Sequence, residues 1–155
     1  MPPSDVAVEE RLSKKSSESV VNDFSIQVAT VNGSGSQTAN LVLLRAIFQM
    51  GVPVSGKNLF PSNIAGLPTW YILRVSDRGY QAPGDRTHIQ VIMNKATWEE
   101  DIANCLPGTL ILFNEDVKMP VERDDCIVIG VPMTKMARGL NPKLGRMIAN
   151  MMYVG

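Results

Sequence analysis

The chain has 155 residues, enough for one domain with a real core but not comfortably for two. Apolar residues make up 45% and charged residues 19%, a balance that excludes wholesale disorder. Fifteen Lys and Arg offset fifteen Asp and Glu, so no basic excess points to nucleic acid. Charge is sparse and Met is frequent, at nine residues, which suggests that part of the surface faces a partner. The two cysteines, Cys105 and Cys126, form neither a CxxC pair nor a zinc pattern and read as reduced, buried thiols. They are too few and too scattered for the chain alone to hold an iron–sulfur cluster. No run approaches the ~18 apolar residues of a membrane span, and the N-terminus has no signal-peptide apolar region. The expected compartment is the cytoplasm.

Residues 1–23, polar and Ser-rich, read as a flexible leader with one short helix over Val6–Leu12. Phe24–Val31 is the first strand, ended by the turn signal Asn32-Gly33. Ser36–Met50 reads as a helix with Ala39, Val42, Leu43, Ala46, Ile47 and Met50 on one stripe. Leu41, Leu44 and Phe48 lie off that stripe, and only Arg45 is charged, so the helix should be covered on most sides. Gly51 and Pro53 stop it. The segment "VPVSGKNLFPSNIAGLPTW" has three prolines, two glycines and no period, and reads as a long functional loop.

Trp70–Val75 and Thr87–Met93 are the next strands, with a turn-rich loop between them. Lys95–Asn104 reads as a short helix and Thr109–Phe113 as a strand. An acidic connection follows, with room for a small hairpin. Cys126–Val131 is the last strand. Pro132 opens a helix over Met133–Arg138. Asn141 and Pro142 then suit the start of a final helix carrying Leu144, Met147, Ile148 and Met151. Several strands are continuously apolar, which favours a mostly parallel sheet covered on both faces. The expected fold class is therefore α/β, a Rossmann-like three-layer sandwich with a mostly parallel sheet.

The glycine turn between the first strand and helix invites comparison with phosphate sites. The dinucleotide fingerprint GxGxxG is incomplete, because Thr38 stands at the third glycine. No Asp or Glu occurs between Asp23 and Asp77 to hold a ribose. The nucleotide P-loop also fails, since no Gly-Lys-Ser/Thr ends the turn. Two readings stay open. Either Ser34–Thr38 receives an anion at the helix N-terminus, or the turn merely joins strand to helix.

Three stretches in one order resemble a known family. Gly33-Ser34-Gly35-Ser36-Gln37-Thr38 is similar to a Gly-x-Gly-Gly-Gln-Gly turn that precedes an apolar helix and a glycine, here Gly51. "LPTWYILRVSDRGY" resembles a Leu-Pro-Thr-x-Tyr-x-x-Arg-Val-Ser stretch. "GLNP" with "KLGRMIANMMYVG" resembles the tail of the same domain. The family is the gamma domain of 2-oxoacid:ferredoxin oxidoreductases, and the resemblance spans residues 24–155. It is nearest to the gamma domain at the N-terminus of a fused alpha chain, so 155 residues implies a fragment or a split subunit.

The resemblance implies work within a complex. There, a 2-oxoacid, coenzyme A and oxidised ferredoxin become acyl-CoA, CO2 and reduced ferredoxin. Thiamine diphosphate, Mg2+ and iron–sulfur clusters would belong to other domains or subunits. This chain would be a non-catalytic assembly domain that positions alpha and beta partners, reaches ferredoxin indirectly and lines the coenzyme A path. On its own it should be inactive. The departures at Ser36 and Thr38 would be costly if either needed a left-handed backbone.

The candidate ligand-facing residues are Gly33, Ser34, Gly35, Ser36, Gln37, Lys57, Asn58 and Arg74. Lys57 and Asn58 would face a cleft where a lysine suits an anionic substrate such as coenzyme A. Arg74, with Asp77 and Arg78, is either a ligand or subunit contact or a solvated ion pair. His88, the only histidine, lacks a nearby nucleophile and reads as structural, with acid–base work requiring an unseen partner. Of Trp70 and Tyr71, one should be core and the other available to an interface. The rival reading is a stand-alone Rossmann-like binding protein for a small anionic ligand.

Overall fold

The computed structural model describes residues 22–61 and 64–154. Most of the expected leader, including Val6–Leu12, lies outside the described residues. Apolar and β-branched runs form strands β1 (Asp23–Val31), β3 (Pro68–Ser76), β4 (Ile89–Ile92), β5 (Leu110–Asn114) and β6 (Ile127–Val131). A further strand, β2 (Val54–Leu59), lies in the segment expected to be a loop. Helices are α1 (Ser36–Gln49), α2 (Trp98–Ala103), α3 (Met133–Leu140) and α4 (Gly145–Ala149). The acidic connection holds a short 3-10 turn, Glu115–Val117, where a hairpin had room. Asn141 does not cap the final helix: it accepts from the amides of Lys143 and Leu144 at 3.0 and 3.2 Å in a turn before it, and Leu144 is the N-cap of α4.

The six strands form one sheet in the order β2-β3-β1-β4-β5-β6. β1, β4, β5 and β6 are mutually parallel, as the apolar runs predicted. β3 runs antiparallel to both β1 and β2. The sheet is thus mixed and only partly parallel, and the molecule is an α/β sandwich without the Rossmann strand order. The difference arises because β2 and β3 are joined by a returning segment with no crossover helix between them.

Alternation along the strands sends side chains to two cores. Ile26, Val28, Tyr71, Leu73 and Val91 share one face with Leu43 and Leu44 of α1 and with Tyr153. Ile92, Cys105, Ile111, Met119 and Cys126 share the other with Trp98 and Ile102 of α2. Helices therefore cover both faces, giving three layers.

The inward side of α1 is Ser36, Ala39 and Asn40, with Leu43, Leu44 and Ile47 half-buried. Val42, Ala46 and Met50, expected on the buried stripe, face outward. A helix apolar nearly all round offers no contrast by which periodicity can choose a face. Nor do the other described residues cover α1 on most sides: Phe48 is 67% exposed and Met50, just past its end, 75%.

Candidate binding site

The glycine turn hangs between the end of β1 and the start of α1. Gly33 and Gly35 sit at φ +80 and +85, where a side chain would be strained. Ser36 and Thr38 are already in α1 and need no left-handed backbone. Their departure from the family's glycines therefore costs the turn nothing. The Ser36 hydroxyl instead lies 2.9 Å from that of Thr30, tying the helix start to the strand end.

Distant segments converge on this turn. The Asn32 amide donates to the Leu67 carbonyl, and the Gly66 amide returns a bond to the Asn32 carbonyl, both at 2.8 Å. Asn150 Nδ2 donates to the Ser34 carbonyl at 2.7 Å, and the Tyr153 hydroxyl donates to Asn40 Oδ1 at 2.8 Å. Burial pushes the Tyr153 hydroxyl well above the usual phenol range, so it stays a donor. The three stretches that carried the family resemblance thus meet in space.

On one side of the turn lies a cleft of about 250 Å³. Gly33, Gly35, Ser36 and Gln37 form one wall, and Asn58, Phe60, Trp70 and Tyr71 the other. Among the described residues no charged side chain lines it. What it offers is amides, hydroxyls and aromatic faces, the equipment for an uncharged polar group. Tyr71 is buried and Trp70 half-buried. Trp70 Nε1 donates to Asp101 Oδ1 at 2.8 Å, and Thr97 Oγ1 donates to Asp101 Oδ2 at 2.8 Å. Burial pushes the Asp101 carboxyl up, against the pull of those two bonds. No sequence cue points to Asp101, because its partner is 31 residues away.

The expected site residues do not all gather here. Gly33, Gly35, Ser36, Gln37 and Asn58 do. Lys57 alternates away from Asn58 along β2 and is exposed outside the cleft. Ser34 lines a second crevice across the turn. Arg74 stands in register with Ser25, toward the other end of β1 from the turn. Its guanidinium donates to the Phe24 and Val75 carbonyls at 3.2 and 2.6 Å and pairs with Asp23, the acid that the strand pairing brings near. His88 is nearby, with Nδ1 accepting the Ser25 amide at 3.1 Å. Burial, then the positive charges of Arg86 and Arg74, hold its pKa below the ordinary 6.5.

The donors among the described residues do not fit metal or cluster chemistry. Among the described residues no group of three or more His, Cys, Asp or Glu is placed to hold a metal ion. Cys105 and Cys126 are both buried, and burial pushes the Cys105 thiol up to about 11, away from the thiolate a cluster needs. Among the described residues no helix is long and apolar enough to cross a membrane.

Comparison with known proteins agrees with this geometry. The profile of the pyruvate ferredoxin/flavodoxin oxidoreductase family matches residues 25–155. No curated protein matches the sequence. The solved structures that are similar include these three. The first is the 2-oxoglutarate:ferredoxin oxidoreductase of Magnetococcus marinus, solved with 2-oxoglutarate, coenzyme A and succinyl-CoA bound. It has 22% identity and a TM-score of 0.74 over 84% of this chain. The chain spans only 23% of that protein's length. The second is a keto/oxoacid ferredoxin oxidoreductase gamma subunit from Geobacter sulfurreducens. It has 13% identity and a TM-score of 0.66, covering 84% of this chain and 73% of that one. The third is a pyruvate oxidoreductase subunit from Thermotoga maritima. It has 16% identity and a TM-score of 0.64, covering 86% and 74%. The chain belongs to the pyruvate ferredoxin/flavodoxin oxidoreductase family, and its fold is that of the gamma subunit.

Proposed function

We propose that this chain is the non-catalytic assembly domain of a cytoplasmic, thiamine diphosphate-dependent 2-oxoacid:ferredoxin oxidoreductase. The complex converts a 2-oxoacid, coenzyme A and oxidised ferredoxin to acyl-CoA, CO2 and reduced ferredoxin. Thiamine diphosphate, Mg2+ and the iron–sulfur clusters are held by alpha and beta partners, because the donors among the described residues do not fit a metal or a cluster.

The observation that carries the reading is the outward face of α1. Leu41, Val42 and Phe48 are exposed on the outward side of α1 around its one charge, Arg45, and Met50 is exposed just past its end. Large apolar side chains grouped in this way on a charge-poor surface favour a protein contact. Met136, Leu140 and Met147 add exposed apolar surface on α3 and α4.

The uncharged cleft beside the glycine turn supports a role on the coenzyme A path. Gln37 and Asn58 suit the amide-bearing arm of coenzyme A better than its phosphates. Reconstitution tests the reading. The isolated chain should show no 2-oxoacid-dependent reduction of a viologen dye. Alpha and beta partners supplemented with it should gain coenzyme A-dependent activity. Activity in the isolated chain, or no gain on mixing, would count against it.

A further inference from the structure

Across the glycine turn from the uncharged cleft lies a second crevice, of about 350 Å³. It opens beyond the carboxyl ends of β1, β4 and β5, where Val31, Asn94 and Asn114 stand. The helix after β1 packs on one face of the sheet and the helix after β4 on the other. Chain connections therefore diverge between these two neighbouring strands, the place where open α/β sheets receive ligands.

The side-chain amides at its floor are committed to the fold. Asn94 Nδ2 donates to the Thr30 carbonyl at 3.0 Å, and Asn94 Oδ1 accepts the Ala96 amide at 2.8 Å. Asn114 Nδ2 donates to Thr134 Oγ1 at 2.8 Å. The groups left over are a hydroxyl and two cations. The Ser34 hydroxyl oxygen is buried with no hydrogen-bond partner. Lys95 and Arg138 line the crevice, are exposed, and have no ion-pair partner among the described residues.

Among the described residues no Asp or Glu lines the crevice, in a chain whose formal charge is zero. The positive charge is therefore local rather than a general basic surface. Both cations stand on constrained backbone. Lys95 follows Asn94, whose side chain pins the turn to β1. A Cβ on Gly145 would lie 2.9 Å from Arg138 Cγ, so the glycine lets α4 pack against the arginine stem.

We propose that this crevice binds the oxyanion, phosphate or carboxylate, of a small ligand. Lys95 and Arg138 neutralise its charge, and the Ser34 hydroxyl donates to one of its oxygens once turned toward it. Met93, Val117 and Ala149 receive the apolar body. The site needs only this chain's own residues and does not rest on the assembly reading.

Amide NMR on the full chain tests it, with inorganic phosphate in one titration and succinate in another. Saturable shifts should appear at Ser34, Lys95 and Arg138, with a dissociation constant of about 1 mM or tighter. Saturation by phosphate alone assigns a phosphoryl group, by succinate alone a carboxylate, and by both a plain oxyanion site. Lys95→Gln with Arg138→Gln should weaken binding at least about tenfold, while the unfolding midpoint of these exposed positions stays put. Gly145→Ala, which displaces Arg138 and leaves both charges in place, should also weaken it. Shifts that rise linearly across all cationic residues would overturn the proposal. So would saturable shifts confined to Gln37 and Asn58, or undiminished affinity in the double variant.

Discussion

Gly33 and Gly35 hold the turn, and the two positions where the family's glycines are missing fall inside the helix. At residue scale that distinction settles what Ser36 and Thr38 do. They are helix-start residues, and Ser36 gains a hydroxyl contact to Thr30. His88 is the other residue whose chemistry is decided by its neighbours. Its Nδ1 must stay unprotonated to accept the Ser25 amide, and its folded pKa lies below the ordinary 6.5. A histidine with a lowered folded pKa contributes stability above its unfolded pKa and loses it as pH falls through the folded one. The urea midpoint should therefore fall between about pH 7.5 and about pH 5.5, and His88→Asn should flatten that slope. An identical slope in the variant would assign the pH dependence to other groups.

At the scale of elements, α1 makes the sharpest prediction. Phe48→Ser with Met50→Ser removes apolar surface that is mostly exposed, so stability should change by no more than about 0.5 kcal/mol. The same pair should reduce recovery of the assembled complex at least about tenfold if this face is a contact hot spot. Chemical denaturation and co-purification measure the two effects separately.

The apolar strands β1, β3, β4, β5 and β6 were legible because continuous hydrophobic runs encode buried strands. β2 was not, since Gly56, Lys57 and Asn58 carry little strand propensity. What places that strand is tertiary. A Cβ on Gly56 would come within 2.0 Å of Tyr71 Oη and 2.6 Å of Leu44 Cδ1, so only glycine allows β2 to lie there. The glycine turn of the site was legible from its spacing. The hold of Asn150 and Tyr153 on it was not, because a hydrogen bond across more than a hundred residues leaves no periodic trace. The partner of Arg74 was not legible for the same reason. It is Asp23, brought close by the β1–β3 pairing and not by sequence proximity to Asp77.

At the scale of the whole molecule, the two sides of one glycine turn differ in chemistry. Among the described residues, one side is lined by uncharged and aromatic side chains and the other includes Lys95 and Arg138, while α1 exposes Leu41, Val42 and Phe48. The central claim is that this chain works only as part of a larger oxidoreductase. Native mass determination of the untagged protein, purified without denaturation from the cells that make it, tests that most directly. The account predicts a mass set by several chains, including a thiamine diphosphate-binding partner. Recovery solely as a monomer would contradict it and leave the chain a stand-alone binding protein.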